Sequence, residues 1–131
     1  MPSPRLFLLA AALGLTPIAL SYGANPQGSV PFLFGFPVET VNAEHIFRAV
    51  MGLYLGQAAF WVIGAIRASV TTAALWGVVV FMWGLAFGRI FSLFVDGLPS
   101  VLLVIYLLLE IGFGVVGYLL LRRRSPAGES P

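Results

Sequence analysis

The chain reads as an all-α integral membrane protein, a four-helix up-down bundle with both termini in the cytoplasm. Three observations predict this. The 131 residues are 60% hydrophobic and only 9% charged, against roughly 45–50% and about 25% in a soluble domain. Their mean hydropathy is +0.99, and a domain of this size buries only about 60–70% of its surface, so a water-soluble globule could not hide so much apolar surface. Finally, the apolar residues fall into four continuous runs, rich in Leu and Ala and without the alternation of barrel strands.

The first run spans about 6–23, after Met-Pro-Ser-Pro-Arg. The second covers about 44–66 and is closed by Arg67. The third, 72–95, stops before Asp96-Gly97-Leu98-Pro99, and the fourth, 100–121, ends at Arg122-Arg123-Arg124. Each approaches the roughly 20 residues a helix needs to cross a hydrocarbon core. Ala68-Ser69-Val70-Thr71 and the Asp96–Ser100 turn are short links, which make consecutive helices antiparallel neighbours. The segment 24–43 carries Pro26, Pro31 and Pro37 around Pro31-Phe-Leu-Phe-Gly-Phe36. It is too short to span and too apolar for water, and is expected to lie in the interface. Residues 122–131 are expected to form a basic stop and a disordered tail. The first run also fits a secretory signal ending at Ser21-Tyr22-Gly23-Ala24, which would leave three spans.

All seven basic residues are Arg, and no Cys is present. Arg5, Arg67 and Arg122 to Arg124 gather at one side, against Glu129 alone; Glu39, Glu44 and Asp96 lie at the other. The positive-inside rule then sets the orientation in a cell membrane, that of a bacterial inner membrane. Composition excludes a nucleic-acid binder, a disordered chain and a disulfide scaffold.

Three charges lie within the spans: Arg48, Arg89 and Glu110. A charge at the bilayer centre costs at least ~2.5–3.5 kcal/mol on insertion scales, so each needs a partner. Helical periodicity sets Glu44, Arg48, Gly52 and Ala59 on one face with His45 at its edge, Arg89, Ser92 and Asp96 on another, and Tyr106, Glu110, Gly114 and Gly117 on a third. Stripes of polar and small residues turn toward other helices. Arg48, Arg89, Tyr106 and Glu110 are therefore expected to form one cluster in the outward half of the bundle, with Glu44, His45, Ser92 and Asp96 near its rim. Two Arg against one Glu leave a positive excess that an anionic or amphipathic ligand, or a lipid headgroup, would balance. Gly52, Gly56, Gly84 and Gly88 form two GxxxG motifs, read with Gly114 and Gly117 as helix-packing positions and alternatively as a dimer face. No nucleotide loop, catalytic triad or carboxylate dyad is present, one His makes no metal site, and no cofactor is expected.

The residues Asn42-Ala-Glu-His45-Ile-Phe-Arg48, then Gly52-Leu-Tyr54-Leu-Gly56, with Gly88-Arg89-Ile-Phe-Ser92, Gly97-Leu-Pro99 and the lone acid Glu110, resemble the small bacterial membrane proteins of domain of unknown function 4345. The resemblance covers about 6–121. It implies a four-helix membrane protein, allows a loose kinship with DoxX-like membrane proteins, and carries no activity. The first loop is longer than that pattern leads one to expect. The leading functional expectation is thus a non-enzymatic protein that binds a small amphipathic or anionic ligand. The alternatives are an accessory subunit or homo-oligomer whose charges only fix packing, and a component of a membrane enzyme or transporter. The lipid bilayer is the expected partner, and no nucleic acid is expected.

Overall fold

The computed structural model describes residues 2–124. They form five helices: α1 (Pro4–Gly23), α2 (Pro26–Phe34), α3 (Val41–Ile66), α4 (Ala68–Val95) and α5 (Val101–Arg123). All but α2 are long and apolar enough to cross a membrane, which makes the chain a small multi-pass membrane protein. The tail beyond Arg124 lies outside the described residues.

Local chemistry sets the helix ends. The hydroxyl of Ser3 accepts the Leu6 N–H at 3.2 Å, and Pro4 follows in the first turn, where its missing N–H costs nothing. Pro17 interrupts the α1 ladder, and one residue earlier the Thr16 hydroxyl donates to the Ala12 carbonyl at 2.7 Å. Thr40 caps α3 by accepting the Ala43 N–H at 3.0 Å. The segment expected to be an irregular interfacial loop instead contains α2, started by Pro26 and stopped by Gly35, whose φ of +79° suits a residue without Cβ. Only Arg67, with extended backbone, separates α3 from α4. The Ala68–Thr71 stretch read as a link is the first turn of α4, because the Thr71 hydroxyl donates to the Gly64 carbonyl at 2.7 Å and lets the chain reverse over a single residue. Gly97, with φ of +100°, turns α4 into α5.

The four long helices alternate in direction. Gly23 lies against Met51, and Leu8 approaches Gly64; Gly64 in turn meets Ala74, and Gly114 meets Trp83. Helix α1 packs along α3, α3 along α4 and α4 along α5, while α1 and α5 touch only lightly. Trp61, Leu8, Leu75 and Val78 are fully enclosed at the centre. The outer faces are apolar: Leu13 and Phe87 are 77% and 75% exposed, a surface that suits lipid and not water.

Periodicity misassigned one inward face. On α3 the buried stripe is Tyr54, Ala58, Trp61 and Ala65, whereas Gly52, Gly56 and Ala59 are exposed. A Cβ at Gly52, Gly56, Gly84 or Gly88 would meet nothing within 4 Å, so none of these glycines packs within the chain. The reason is volume. The bundle interior needs large side chains to fill it, and a small residue permits close approach without requiring it. Gly114 and Gly117 do face neighbours: a Cβ on Gly114 would strike the Trp83 indole, and one on Gly117 would lie 3.1 Å from Val79 Cγ2.

Candidate functional site

Arg89, two turns before the end of α4, and Glu110, in the middle of α5, meet as an ion pair between the two helices. The Arg89 Nε–H donates to both carboxylate oxygens of Glu110, at 2.9 and 3.1 Å. The side chains are 22% and 8% exposed. With ~1.5 Å of rise per residue, Arg89 lies about 10 Å inside the α4 end at Asp96. Low polarity at that depth makes the pair costly to separate.

Aromatic rings from the four other helices form a connected cluster at the guanidinium. The Tyr106 ring, one turn before Glu110 on α5, has its centroid 5.7 Å from Arg89 Cζ, within range of a cation–π contact. Tyr22 of α1 interacts with the same guanidinium. Tyr22 stacks on Phe34 of α2 at 5.3 Å, Phe34 meets the Tyr106 ring edge-on at 6.3 Å, and Tyr22 meets Tyr54 of α3 edge-on at 5.6 Å. Tyr54 continues to Phe81 and Phe81 to Trp61, so the cluster merges with the core.

Below the pair, away from α2, lies a cavity of about 80 Å³. One water needs roughly 10–15 Å³ measured this way, so there is room for a handful of atoms. Arg89, Glu110 and Tyr106 line one end, and the remaining walls come from Gly14, Ile18, Leu85, Phe113 and similar apolar residues. Arg89 and Ser92 also border a second recess of about 90 Å³ beside the Gly97–Pro99 turn. Among the described residues no three His, Asp or Glu side chains converge to hold a metal ion.

The other sequence-derived candidates lie elsewhere. Arg48 does not join Arg89 and Glu110; its Nη1 donates to the Gly23 carbonyl at 2.8 Å and to the Ala24 carbonyl at 3.5 Å. There the guanidinium satisfies the carbonyls left over at the end of α1, where the helix dipole favours a cation. The expected positive excess therefore disappears, leaving one Arg against one Glu. Glu44 accepts a hydrogen bond from Gln27 Nε2 and fastens α2 to the start of α3. Asp96 accepts from Ser92 Oγ at 2.6 Å in an exposed contact within one helix end. His45 is exposed on the first turn of α3. Tyr22, Phe34 and Tyr54 were missed as site residues. Tyr54 sits between the two glycines of a GxxxG motif, Tyr22 in a stretch resembling a cleavage site, and Phe34 in the presumed loop. The signal available for Tyr22 was an aromatic residue at the end of a span; nothing in the sequence singled out Phe34.

No curated protein and no solved structure matches the chain. The family model for "Domain of unknown function (DUF4345)" matches residues 3–121. That match takes in all four spans, α2, and both members of the ion pair, and the chain belongs to the DUF4345 family.

Proposed function

We propose that the protein binds a lipid-soluble amphipathic molecule, with its polar end on Arg89 and its apolar part in the cavity between α1, α4 and α5. One observation carries this reading: Glu110 engages Arg89 through Nε alone. A guanidinium has five N–H donors; Tyr22 also interacts with it, and the donors that neither Glu110 nor Tyr22 takes stand beside an apolar cavity. Donors kept beside an apolar space suit an acceptor such as a carbonyl, hydroxyl or ester better than they suit pure packing. Withdrawal of Arg48 removes the support for a strongly anionic ligand and leaves the amphipathic one. Native mass spectrometry of the protein released from its membrane tests the reading. A retained small molecule is expected on the wild type and not on Arg89→Gln/Glu110→Gln; adduct-free spectra for both proteins would overturn it.

A second reading, an accessory subunit or homo-oligomer, draws on Gly52, Gly56, Gly84 and Gly88. These line open, lipid-facing sides of α3 and α4, where another helix could approach closely. Blue-native electrophoresis tests it: a larger species that Gly84→Leu dissolves supports the assembly, and a lone small species opposes it. For orientation, we propose that the end bearing Arg5, Arg67 and Arg122 to Arg124 is cytoplasmic. The chain has no native Cys, so single cysteines at Ser3 and at the exposed Leu98 would report the two sides to a membrane-impermeant thiol reagent. Labelling of the first from outside intact cells would contradict the proposal.

A further inference from the structure

Resting on that reading, we infer that the site is loaded sideways from the bilayer, through the seam between α1 and α5, and that its ligand is an uncharged single-chain amphiphile.

The route follows from what closes each side. Toward the α2 end a small recess of about 90 Å³ beside the Gly97–Pro99 turn reaches Arg89, and the remainder is covered. Phe34 lies between Tyr22 and Tyr106, and α2 is held by the Ser29 hydroxyl on the Ser21 carbonyl at 2.5 Å, by Gln27 on Glu44 and by its enclosed Val30 and Pro26. Between α1 and α3 an outer groove of about 520 Å³ lies beside Leu13, Thr16, Leu55 and Ala59, but it shares no residue with the cavity beside Arg89. The seam between α1 and α5 is different. An open groove of about 520 Å³ runs there between Leu6 and Ala10 on one side and Leu108 and Gly112 on the other. Leu109 and Phe113 line both this groove and the cavity beside Arg89, so the two adjoin. Gly14 and Gly112 keep the passage wide, since a Cβ at either would meet nothing within 4 Å. From Leu6 to Ile18 the passage follows α1 for about 18 Å, the scale of a long acyl chain, and it opens where lipid lies.

The charge follows from the pair. Glu110 already neutralises Arg89, and Arg48 is committed to the end of α1. An anionic head on the free edge of Arg89 would stand close to the Glu110 carboxylate in a medium of low polarity, and a cationic head would face Arg89 itself; both are unfavourable. An uncharged acceptor meets the remaining N–H groups without either conflict. The small cavity excludes a phospholipid headgroup, which leaves a compact head such as an ester or an alcohol on one chain.

The test uses the full chain in phosphatidylcholine nanodiscs, with a photoreactive diazirine placed in the tail of a long-chain fatty acid methyl ester and, separately, in the free acid at alkaline pH. The ester is expected to label peptides of α1 and α5 that border the groove, and the ionised acid to label them about tenfold less, a difference near 1.4 kcal/mol. Gly14→Leu and Gly112→Leu, whose new side chains project into open space, are expected to lower ester labelling by a similar factor, with the thermal midpoint preserved. Equal labelling by acid and ester, or full labelling of both leucine variants while Arg89→Gln/Glu110→Gln loses it, would overturn the inference and leave the binding site standing. Labelling of Arg89→Gln/Glu110→Gln as strong as that of wild type would overturn the site itself.

Discussion

Helix α1 meets α3 and α5 in different ways. Against α3 its inner edge is closely packed, beneath an outer groove beside Leu13 and Ala59: Ala11, Ala19 and Leu8 are buried, Gly23 lies so close to Met51 that a Cβ would collide, and on α3 Gly64 has Leu8 and Ala74 pressed upon it. Against α5 it is open, and Gly14 and Gly112 face empty space. Glycine occurs on both sides with opposite meaning. On the first it lets backbones approach; on the second it keeps a passage from filling. Dispersion contacts do the holding where helices touch; on the looser side Phe7 meets Phe113 at 5.7 Å, and behind the groove the Arg89–Glu110 pair ties α4 to α5.

The sharpest way to break this contrast is to remove the link. Glu110→Gln leaves Arg89 buried without its partner and is expected to destabilise the bundle by about 3 kcal/mol, the lower end for a broken buried pair because Arg89 keeps 22% of its side-chain surface exposed. Glu110→Gln combined with Arg89→Gln should recover part of the loss, and a thermal-unfolding cycle in detergent measures it; strictly additive losses would mean that the two side chains do not interact. Next comes the closed seam. Gly64→Val forces a branched side chain onto Ala74 and should cost about 1–3 kcal/mol in the same assay. Arg48→Ala frees the terminal carbonyls of α1 and should cost about 1 kcal/mol. The smallest effect is expected at the open seam. Gly14→Ala gains helix propensity with nothing to strike and should leave the thermal midpoint unchanged or raise it by the equivalent of about 0.5–1 kcal/mol. If Gly14→Ala and Gly64→Val proved equally harmful, the two sides of α1 would not differ as described.

Much of this fold was legible in the chain. Four apolar runs of membrane length, punctuated by Arg67 and by Asp96-Gly97, are enough to name the spans, because the bilayer imposes length and apolarity on every helix that crosses it. The Arg89–Glu110 pair was legible for the same reason: two charges on inward stripes of adjacent antiparallel helices have few other places to go. Arg48 was misplaced because its partner is not a side chain. It bonds backbone carbonyls exposed where α1 ends, and nothing in residue types marks that end as close to Arg48. The glycines of α3 and α4 were misread because a GxxxG spacing states that close approach is allowed, not which surface uses it. Helix α2 was hidden by its prolines. Pro26 starts it and Pro31 sits only five residues later, still within the early turns of a nine-residue helix, so the residues that suggested a loop are tolerated by a helix this short.

The binding of an acceptor head by Arg89 can be observed atom by atom. Solid-state NMR on arginine-¹⁵N-labelled protein in lipid, with a long-chain methyl ester ¹³C-labelled at its carbonyl, should give a carbon–nitrogen transfer peak to one buried guanidinium, absent in Arg89→Gln. Transfer only to the arginines outside the spans, or a peak that survives Arg89→Gln, would contradict a ligand held inside the bundle.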